Sequence, residues 1–79
     1  MRADICDPED AAAVARFVAA LRNLGADLSE KSWGLGVDVY QVSIGGEELT
    51  VFSDSWSIDV EGPNALVHKV LQEFGRKDA

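Results

Sequence analysis

Few residues of this chain have the chemistry of a catalytic or metal site. His68 is the only histidine, and so the obvious side chain to titrate near neutral pH, while Cys6 is the only cysteine. On its predicted helix, His68 lies away from the centre of the apolar stripe, which predicts exposure to solvent. One histidine, one distant cysteine and scattered carboxylates have no recognisable ligand spacing. We therefore expect neither a metal ion nor a cofactor.

The segment Ser53-Asp54-Ser55 places hydroxyl groups beside an acid, as nucleophilic sites do. Acyl transfer also needs a base within hydrogen-bonding reach of the nucleophile, and the sequence has no second histidine for that role. Asp and Ser side chains also bond neighbouring backbone amides in reversing loops. We therefore interpret this segment as a turn and predict that the protein is not an enzyme.

The carboxylates of Glu47-Glu48 and of Asp59 and Glu61 could form an acidic pair, which would raise the pKa of one member. The strand register derived below places Glu48 opposite Glu61. Like charges side by side are mildly unfavourable, so this pair is either well solvated or met by a cationic group.

These serine and acidic side chains lie between Val37 and Glu61, where three runs of residues alternate between apolar and polar. Such alternation predicts a three-stranded antiparallel meander. Gly45-Gly46 suits the positive φ angles of a two-residue hairpin turn. That turn pairs Val39 with Phe52, and it also pairs Val42 with Leu49 and Tyr40 with Val51.

The second turn of the meander contains no glycine that would indicate its length. We therefore choose its length by asking which side chains each option places on the same face of the sheet. An even-numbered loop pairs Val51 with Ile58 and Leu49 with Val60, whereas an odd one sets Thr50 beside Ile58. A one-residue slip would move every side chain to the other face. We prefer the even loop because its apolar residues then fall on one consistent face. It gives one apolar face made of Tyr40, Val42, Ile44, Leu49, Val51, Trp56, Ile58 and Val60.

Two segments flanking the meander read as helices. Asp7 is the predicted cap of the first, with Pro8 in its first turn, and that helix extends to about Leu24 with Gly25 as a left-handed cap. The second helix begins near Pro63 and ends at Gly75. The predicted apolar stripes are Val14, Phe17, Val18, Leu21 and Leu24 in the first helix, and Leu66, Val67, Val70, Leu71 and Phe74 in the second.

Two segments remain outside these elements. Residues 1–6 are predicted to be a short lead. Residues 26–36 read as a loop with room for a short extra strand near Asp27 to Trp33. Gly34-Leu35-Gly36 resembles part of a phosphate-binding loop, but no strand-to-helix transition follows and no lysine is in place, so we expect a bend or bulge there.

The predicted fold is a single α+β domain over residues 1–79. It has two layers in the order αβββα, with a three-stranded antiparallel meander, a possible fourth short strand, and both helices on one face. A chain of 79 residues can bury only about 60% of its unfolded surface, which supports one core rather than two.

The net charge of −7 is concentrated on the sheet region, where residues 26–62 hold Lys31 against eight carboxylates. Phosphate backbones are bound by Lys and Arg, so we expect no binding to nucleic acid. The order helix, three strands, helix is similar to that of the double-stranded RNA-binding domain. That family uses lysines at the start of its second helix, where this chain has Gly62 to Ala65.

The compartment follows from two absences in the sequence. A single cysteine excludes an intramolecular disulfide framework, which suits a reducing environment. No run approaches the roughly 18 apolar residues that would span a bilayer. We therefore expect a cytoplasmic protein that does not bind membranes.

The face of the sheet opposite the helices is the predicted site of function. Val37, Val39 and Phe52 are neighbours there, and contiguous exposed apolar surface on a small domain usually marks a binding site. Trp33 shares the parity of Val37 and extends this patch if the strand is unbroken, whereas a bulge at Gly34 or Gly36 turns Trp33 inward. The predicted interface consists of Trp33, Leu35, Val37, Val39 and Phe52, with Glu48, Asp59 and Glu61 around them.

We expect this face to serve a small non-catalytic interaction module that binds a protein partner or a second copy of itself. One alternative is an acidic immunity or inhibitor protein, or a nucleic-acid mimic, that blocks a cationic site on an enzyme. Such binding would depend strongly on salt. The other alternative is a small ligand-binding protein or enzyme, which a pocket near Trp33 and Asp54 would favour.

Overall fold

The computed structural model describes residues 1–33 and 37–75, with the backbone alone between 29 and 33. Two helices and five strands make up this part of the chain, so the α+β class is confirmed. The strands form one antiparallel sheet in the spatial order β1-β5-β4-β3-β2. The elements are β1 (Arg2–Cys6), α1 (Ala11–Asn23), β2 (Asp27–Trp33), β3 (Val37–Ile44), β4 (Glu47–Asp54), β5 (Ile58–Glu61) and α2 (Asn64–Gly75).

The predicted meander is strands β3, β4 and β5, and its first hairpin has the predicted register. Gly45 and Gly46 have φ angles of 58° and 84°, which is the left-handed region that a two-residue hairpin turn requires. Val42 pairs with Leu49 and Val39 with Phe52. The extra strand predicted near Asp27 to Trp33 is also confirmed, as β2 at one edge of the sheet.

The predicted register of the second hairpin is wrong by two residues. Val51 pairs with Val60 rather than with Ile58, which lies opposite Ser53. The cause is the Asp54 side chain, whose Oδ1 accepts hydrogen bonds from the backbone N–H groups of Trp56 and Ser57 at 2.7 and 2.8 Å. These bonds place the turn one residue later in the chain than the apolar pattern suggested.

Two side chains change environment because of that shift. Trp56, predicted to lie in the core, is in the turn itself and is 85% exposed. Glu61 lies opposite Thr50, so the predicted pairing of Glu48 with Glu61 is also wrong. A slip by two residues preserves the faces of a strand, and Ile58 and Val60 are therefore still buried.

The segment predicted to be a short lead is in fact the edge strand β1. Ala3 pairs with Val60 and Asp4 with Asp59, and a register shift follows between Asp4 and Cys6. Beyond the ladder, the backbone N–H of Gly62 donates to the carbonyl of Met1 at 3.0 Å. This strand satisfies the side of β5 that a three-stranded sheet would leave unpaired.

The first helix begins later than its sequence predicted. Asp10 is the N-cap, and its side chain accepts a hydrogen bond from the backbone N–H of Ala13 at 3.1 Å. Asp7, predicted as the cap, instead accepts a hydrogen bond from the N–H of Glu9 in the preceding turn. Gly25 has φ 74°, as predicted for the residue that ends this helix.

Both helices pack on the same face of the sheet, as predicted. Phe17 and Phe74 join them edge to face, with ring centroids 6.4 Å apart. Val18 departs from the predicted stripe and is 44% exposed, because Ala13 and Ala20 face the core instead. The main buried cluster consists of Phe17, Val42, Ile44, Leu49, Val51, Ile58, Val60, Leu66, Val67 and Val70. Neither described helix is long and apolar enough to cross a membrane.

Candidate functional site

The open face of the sheet, which the helices do not cover, is crossed by two adjacent rows of side chains. The register places the members of each row opposite one another on neighbouring strands, so they are close enough to interact. The first row is Val39, Phe52, Asp59 and Asp4, and the second is Gln41, Thr50, Glu61 and Arg2.

Arg2 links the two rows. Its Nη2 donates a hydrogen bond to Oδ2 of Asp59 at 3.0 Å, and its guanidinium lies 4.5 Å from the centroid of the Phe52 ring. Guanidinium groups are attracted to aromatic faces, so Phe52 and Asp59 hold Arg2 from two sides. The Arg2 side chain is more than half exposed, whereas Asp59 is buried.

Asp59 and Asp4 form a carboxyl pair beside this arginine. A hydrogen bond to Asp59, and then the charge of Asp59, raise the pKa of Asp4 above its usual value of 3.8. Burial raises the pKa of Asp59, but hydrogen bonds with Arg2 and with Asp4 outweigh burial, so its net shift is downward. Oδ1 of Asp59 is buried and has no hydrogen-bond partner in the described part of the chain, and a proton on Asp4 would give it one.

The two shifts affect folding stability in opposite directions. The raised pKa of Asp4 contributes stability that is fully present below the unfolded value near 3.8 and is lost as the pH rises through the folded value. The lowered pKa of Asp59 contributes stability that is present above the unfolded value and is lost as the pH falls through the folded value. At neutral pH, Asp59 therefore stabilises the fold while the facing charge of Asp4 opposes it.

The predicted interface residues are only partly brought together. Val39 and Phe52 are direct partners, and Val37, opposite Asp54, lies beyond them along the same face. All three apolar residues are partly buried. Asp59 is buried beneath Arg2 and not at the rim where it was predicted, because β1 pairs with β5 and extends the sheet beyond it.

The remaining predicted residues lie towards the margins. Glu61 is exposed in the second row, and Glu48 is exposed opposite Ser43, two rows away from Phe52. The register sets Trp33 opposite Asp38, but the side chain of Trp33 is not described, so its predicted facing stays open. Leu35, with the bulge expected beside it, lies outside the described residues.

Sequence reasoning missed Arg2 and Asp4, the two residues that give this face its charge pattern. The available signal was the alternation of charged and apolar residues from Arg2 to Ile5, which is typical of a strand with one buried face. The segment is short, and its partner β5 lies more than fifty residues away in the sequence. That separation left no local turn from which a pairing could be inferred.

A second feature, which we name the α1 groove, lies on the helix side of the sheet. Helix α2 packs against β1 and β4, and α1 against β1 and α2, so the helices sit away from the β2 end. The groove has a volume of about 430 Å³, and Leu28 at its edge is 62% exposed. It is lined by Val14, Phe17, Val18, Leu21, Arg22, Ala26, Leu28, Tyr40, Val42, Val51, Ser53 and Ile58.

The remaining candidates for chemistry lie apart from both features. His68 is exposed on α2, as predicted. Cys6 is partly buried, and burial, followed by the charges of Asp10 and Asp7, raises the pKa of its thiol, which lowers its reactivity. No cluster of three or more His, Cys, Asp or Glu side chains suited to a metal is found within residues 1–33 and 37–75.

The open face therefore offers an apolar pair, a cation held by a buried carboxylate, and exposed acids, which suit binding of a complementary surface. A scan against protein-family models gave no match, and searches of curated proteins and of solved structures gave none either.

Proposed function

We propose that this protein is a non-catalytic interaction module that binds another protein through the open face of its sheet. The observation that supports this best is the row Val39, Phe52 and Asp59 at the middle of an uncovered face. Val39 and Phe52 supply an apolar centre that is only partly buried within the chain. An apolar centre with charged groups around it is the common anatomy of a protein interface.

The charges of this face favour a partner with basic residues. Asp4, Glu48 and Glu61 are exposed there, while Arg2 is already engaged with Asp59. A partner with basic residues at its edge would complement these acids and accelerate association. A second copy of the chain is the alternative occupant. A symmetric dimer would have to keep the carboxylates of the two copies apart.

The test is a polar substitution on this face that spares the contacts of Arg2 with Phe52 and Asp59. Phe52→Glu is unsuitable because it would add a carboxylate beside Asp59 and remove the ring beneath Arg2. Val39→Gln keeps a similar size and lies on the β3 side of the row. The matched control is Ala15→Gln, at an exposed position of α1.

Two measurements follow for the parent and both variants. Light scattering over a wide range of protein concentration reports self-association, and affinity capture followed by titration with the purified partner reports a foreign protein. We expect Val39→Gln to lose the dimer or the complex while Ala15→Gln keeps it, with unchanged circular dichroism in both. The proposal fails if the parent stays monomeric and every captured protein binds Val39→Gln as well as it binds the parent.

Salt dependence then separates this proposal from an acidic inhibitor. An interface with an apolar centre should weaken only moderately as salt is raised. A decoy that occupies a cationic site by charge alone should lose most of its affinity.

A further inference from the structure

We propose that the α1 groove binds a small amphipathic anion, namely a molecule with a linear or aromatic hydrocarbon body and one acidic head group. This site is separate from the open face, because the groove lies on the helix side of the sheet. The inference does not depend on the proposed function.

The size and the lining of the groove indicate a small molecule. Its volume of about 430 Å³ falls within the range of roughly 300 to 1,000 Å³ that is typical of ligand pockets. Phe17 and Ile58 form its buried floor, whereas Val18 and Leu28 form walls that are 44% and 62% exposed. Two exposed aliphatic walls above a buried apolar floor leave a concave surface that a hydrocarbon body would cover.

The charge of the ligand is inferred from Arg22. Among the described residues it is the one charged side chain that lines the groove. It lies in the last turn of α1, is exposed, and makes no ion pair or side-chain hydrogen bond within that part of the chain. A guanidinium beside an apolar groove suits a carboxylate, a sulfonate or a phosphate on the ligand.

The net charge of the protein allows the effect of Arg22 to be distinguished from that of the overall field. A chain with a net charge of −7 should attract cationic amphiphiles by its overall field. Preference for an anionic amphiphile over a cationic one with the same hydrocarbon chain therefore requires a local cation. At physiological ionic strength the Debye length is about 8 Å, so Arg22 acts on a bound head group while distant carboxylates are screened.

The experiment uses three probes on the full chain. Fluorescence of 1-anilinonaphthalene-8-sulfonate, an aromatic anion, reports occupation of the groove. Decanoate and decyltrimethylammonium, both below their micelle concentrations, compete for it. Far-ultraviolet circular dichroism and a cooperative melt show that the fluorescent probe binds the native fold rather than a loosened state.

The variants are chosen from exposed positions so that the fold is retained. Arg22→Gln removes the cation, and Val18→Glu places a carboxylate in the wall of the groove. Ala19→Glu is the matched control, because it adds the same charge at an exposed neighbouring position outside the lining.

We expect decanoate to displace the fluorescent probe at lower concentration than decyltrimethylammonium does. Arg22→Gln should weaken decanoate about two- to fivefold, the effect of one solvent-exposed ion pair, and should abolish the preference between the two head groups. Val18→Glu should remove binding, and Ala19→Glu should retain it.

Three results would overturn the inference. One is the absence of saturable probe binding to the native protein. Another is a preference for the cationic amphiphile in the parent. The third is a dimer that dissociates in Val18→Glu but not in Ala19→Glu, because the groove would then be the seat of a second copy of the chain.

Discussion

Truncation of two buried residues of the sheet, Leu49 and Ile58, should have clearly different costs. Leu49 is 0% exposed and lies in β4, with β3 and β5 on either side. Ile58 is 6% exposed, but its side chain lines the α1 groove. Leu49→Ala would therefore leave a closed cavity, whereas Ile58→Ala would enlarge a depression that solvent already reaches.

The magnitudes follow from measured core truncations. Substitution of a buried Leu or Ile by Ala costs about 2 to 5 kcal/mol, and the cost rises with the volume of the cavity that remains. Leu49→Ala should be near 4 kcal/mol because its neighbours cannot collapse without moving a strand or a helix, and Ile58→Ala near 2 kcal/mol. A chain of this length is stable by only about 4 to 12 kcal/mol, so either change is a large fraction of the total.

The free energy of unfolding can be measured by urea titration followed by circular dichroism. Trp56 should add little to a fluorescence change on unfolding, since it is largely exposed in the native state. At roughly 4 to 8 °C per kcal/mol for a domain of this size, Leu49→Ala should lower the melting temperature by about 15 to 30 °C. Equal costs for the two variants would refute the reasoning that Ile58 borders an open groove. A cost below about 1 kcal/mol for Leu49→Ala would refute its place in the core.

Two further predictions concern Asp4, in β1, and Gly62, which directly follows β5. Asp4→Asn should raise the urea midpoint at pH 7, because it removes the charge that faces Asp59 and supplies an N–H donor. The gain should shrink as the pH falls through the raised pKa of Asp4, because the parent then loses the same charge, and a lowered midpoint at pH 7 would contradict the pairing. Gly62→Ala should cost about 1 to 3 kcal/mol, because a Cβ there would lie 3.2 Å from the backbone oxygen of Glu48 and from Leu49. The control is Gly75→Ala, at the end of α2, where the new methyl group meets open space. Its stability should be unchanged or slightly raised. Equal effects at both glycines would show that Gly62 is not confined.

The parts of the fold that could be predicted from the sequence are those specified by neighbouring residues. Gly45-Gly46 fixed one hairpin because few other residues accept two successive positive φ angles. The apolar stripe of α2 and the alternation within β3 and β4 also depend only on local spacing. In the second hairpin, by contrast, the side chain of Asp54 set the turn. Its two hydrogen bonds to the backbone leave no trace in the apolar pattern.

The faces of the strands were nevertheless predicted correctly where the pairing was not. A shift of two residues moves partners along the strand but leaves every side chain on its own side of the sheet. Ile58 and Val60 were therefore expected to be buried, and they are. Trp56 was the exception, since the shift moved it from the strand into the turn, where no face exists to bury it.

The candidate site was less predictable because it depends on pairing between the ends of the chain. In a sheet without β1, Asp59 would be one of several carboxylates at the rim of an acidic face. With β1 in place, the same residue is buried beneath Arg2 and faces Asp4. The pairing of Asp59 with a cation thus depends on a contact across 57 residues of sequence, which periodicity does not report.

The α1 groove also depends on strands that pair at the edges of the meander. Neighbouring strands lie about 4.8 Å apart, so a three-stranded meander is about 10 Å across from its first to its last strand. That is close to the spacing of about 10 Å between two packed helices, and two helices would cover such a sheet. The addition of β1 and β2 widens the sheet to about 19 Å, while the number of helices is unchanged. Since both helices pack towards β1, the excess width falls at β2 and β3, where Leu28 and Tyr40 line the groove. If two helices covered only three strands, no apolar surface would remain uncovered on the helix side. The groove therefore exists because the two edge strands widen the sheet.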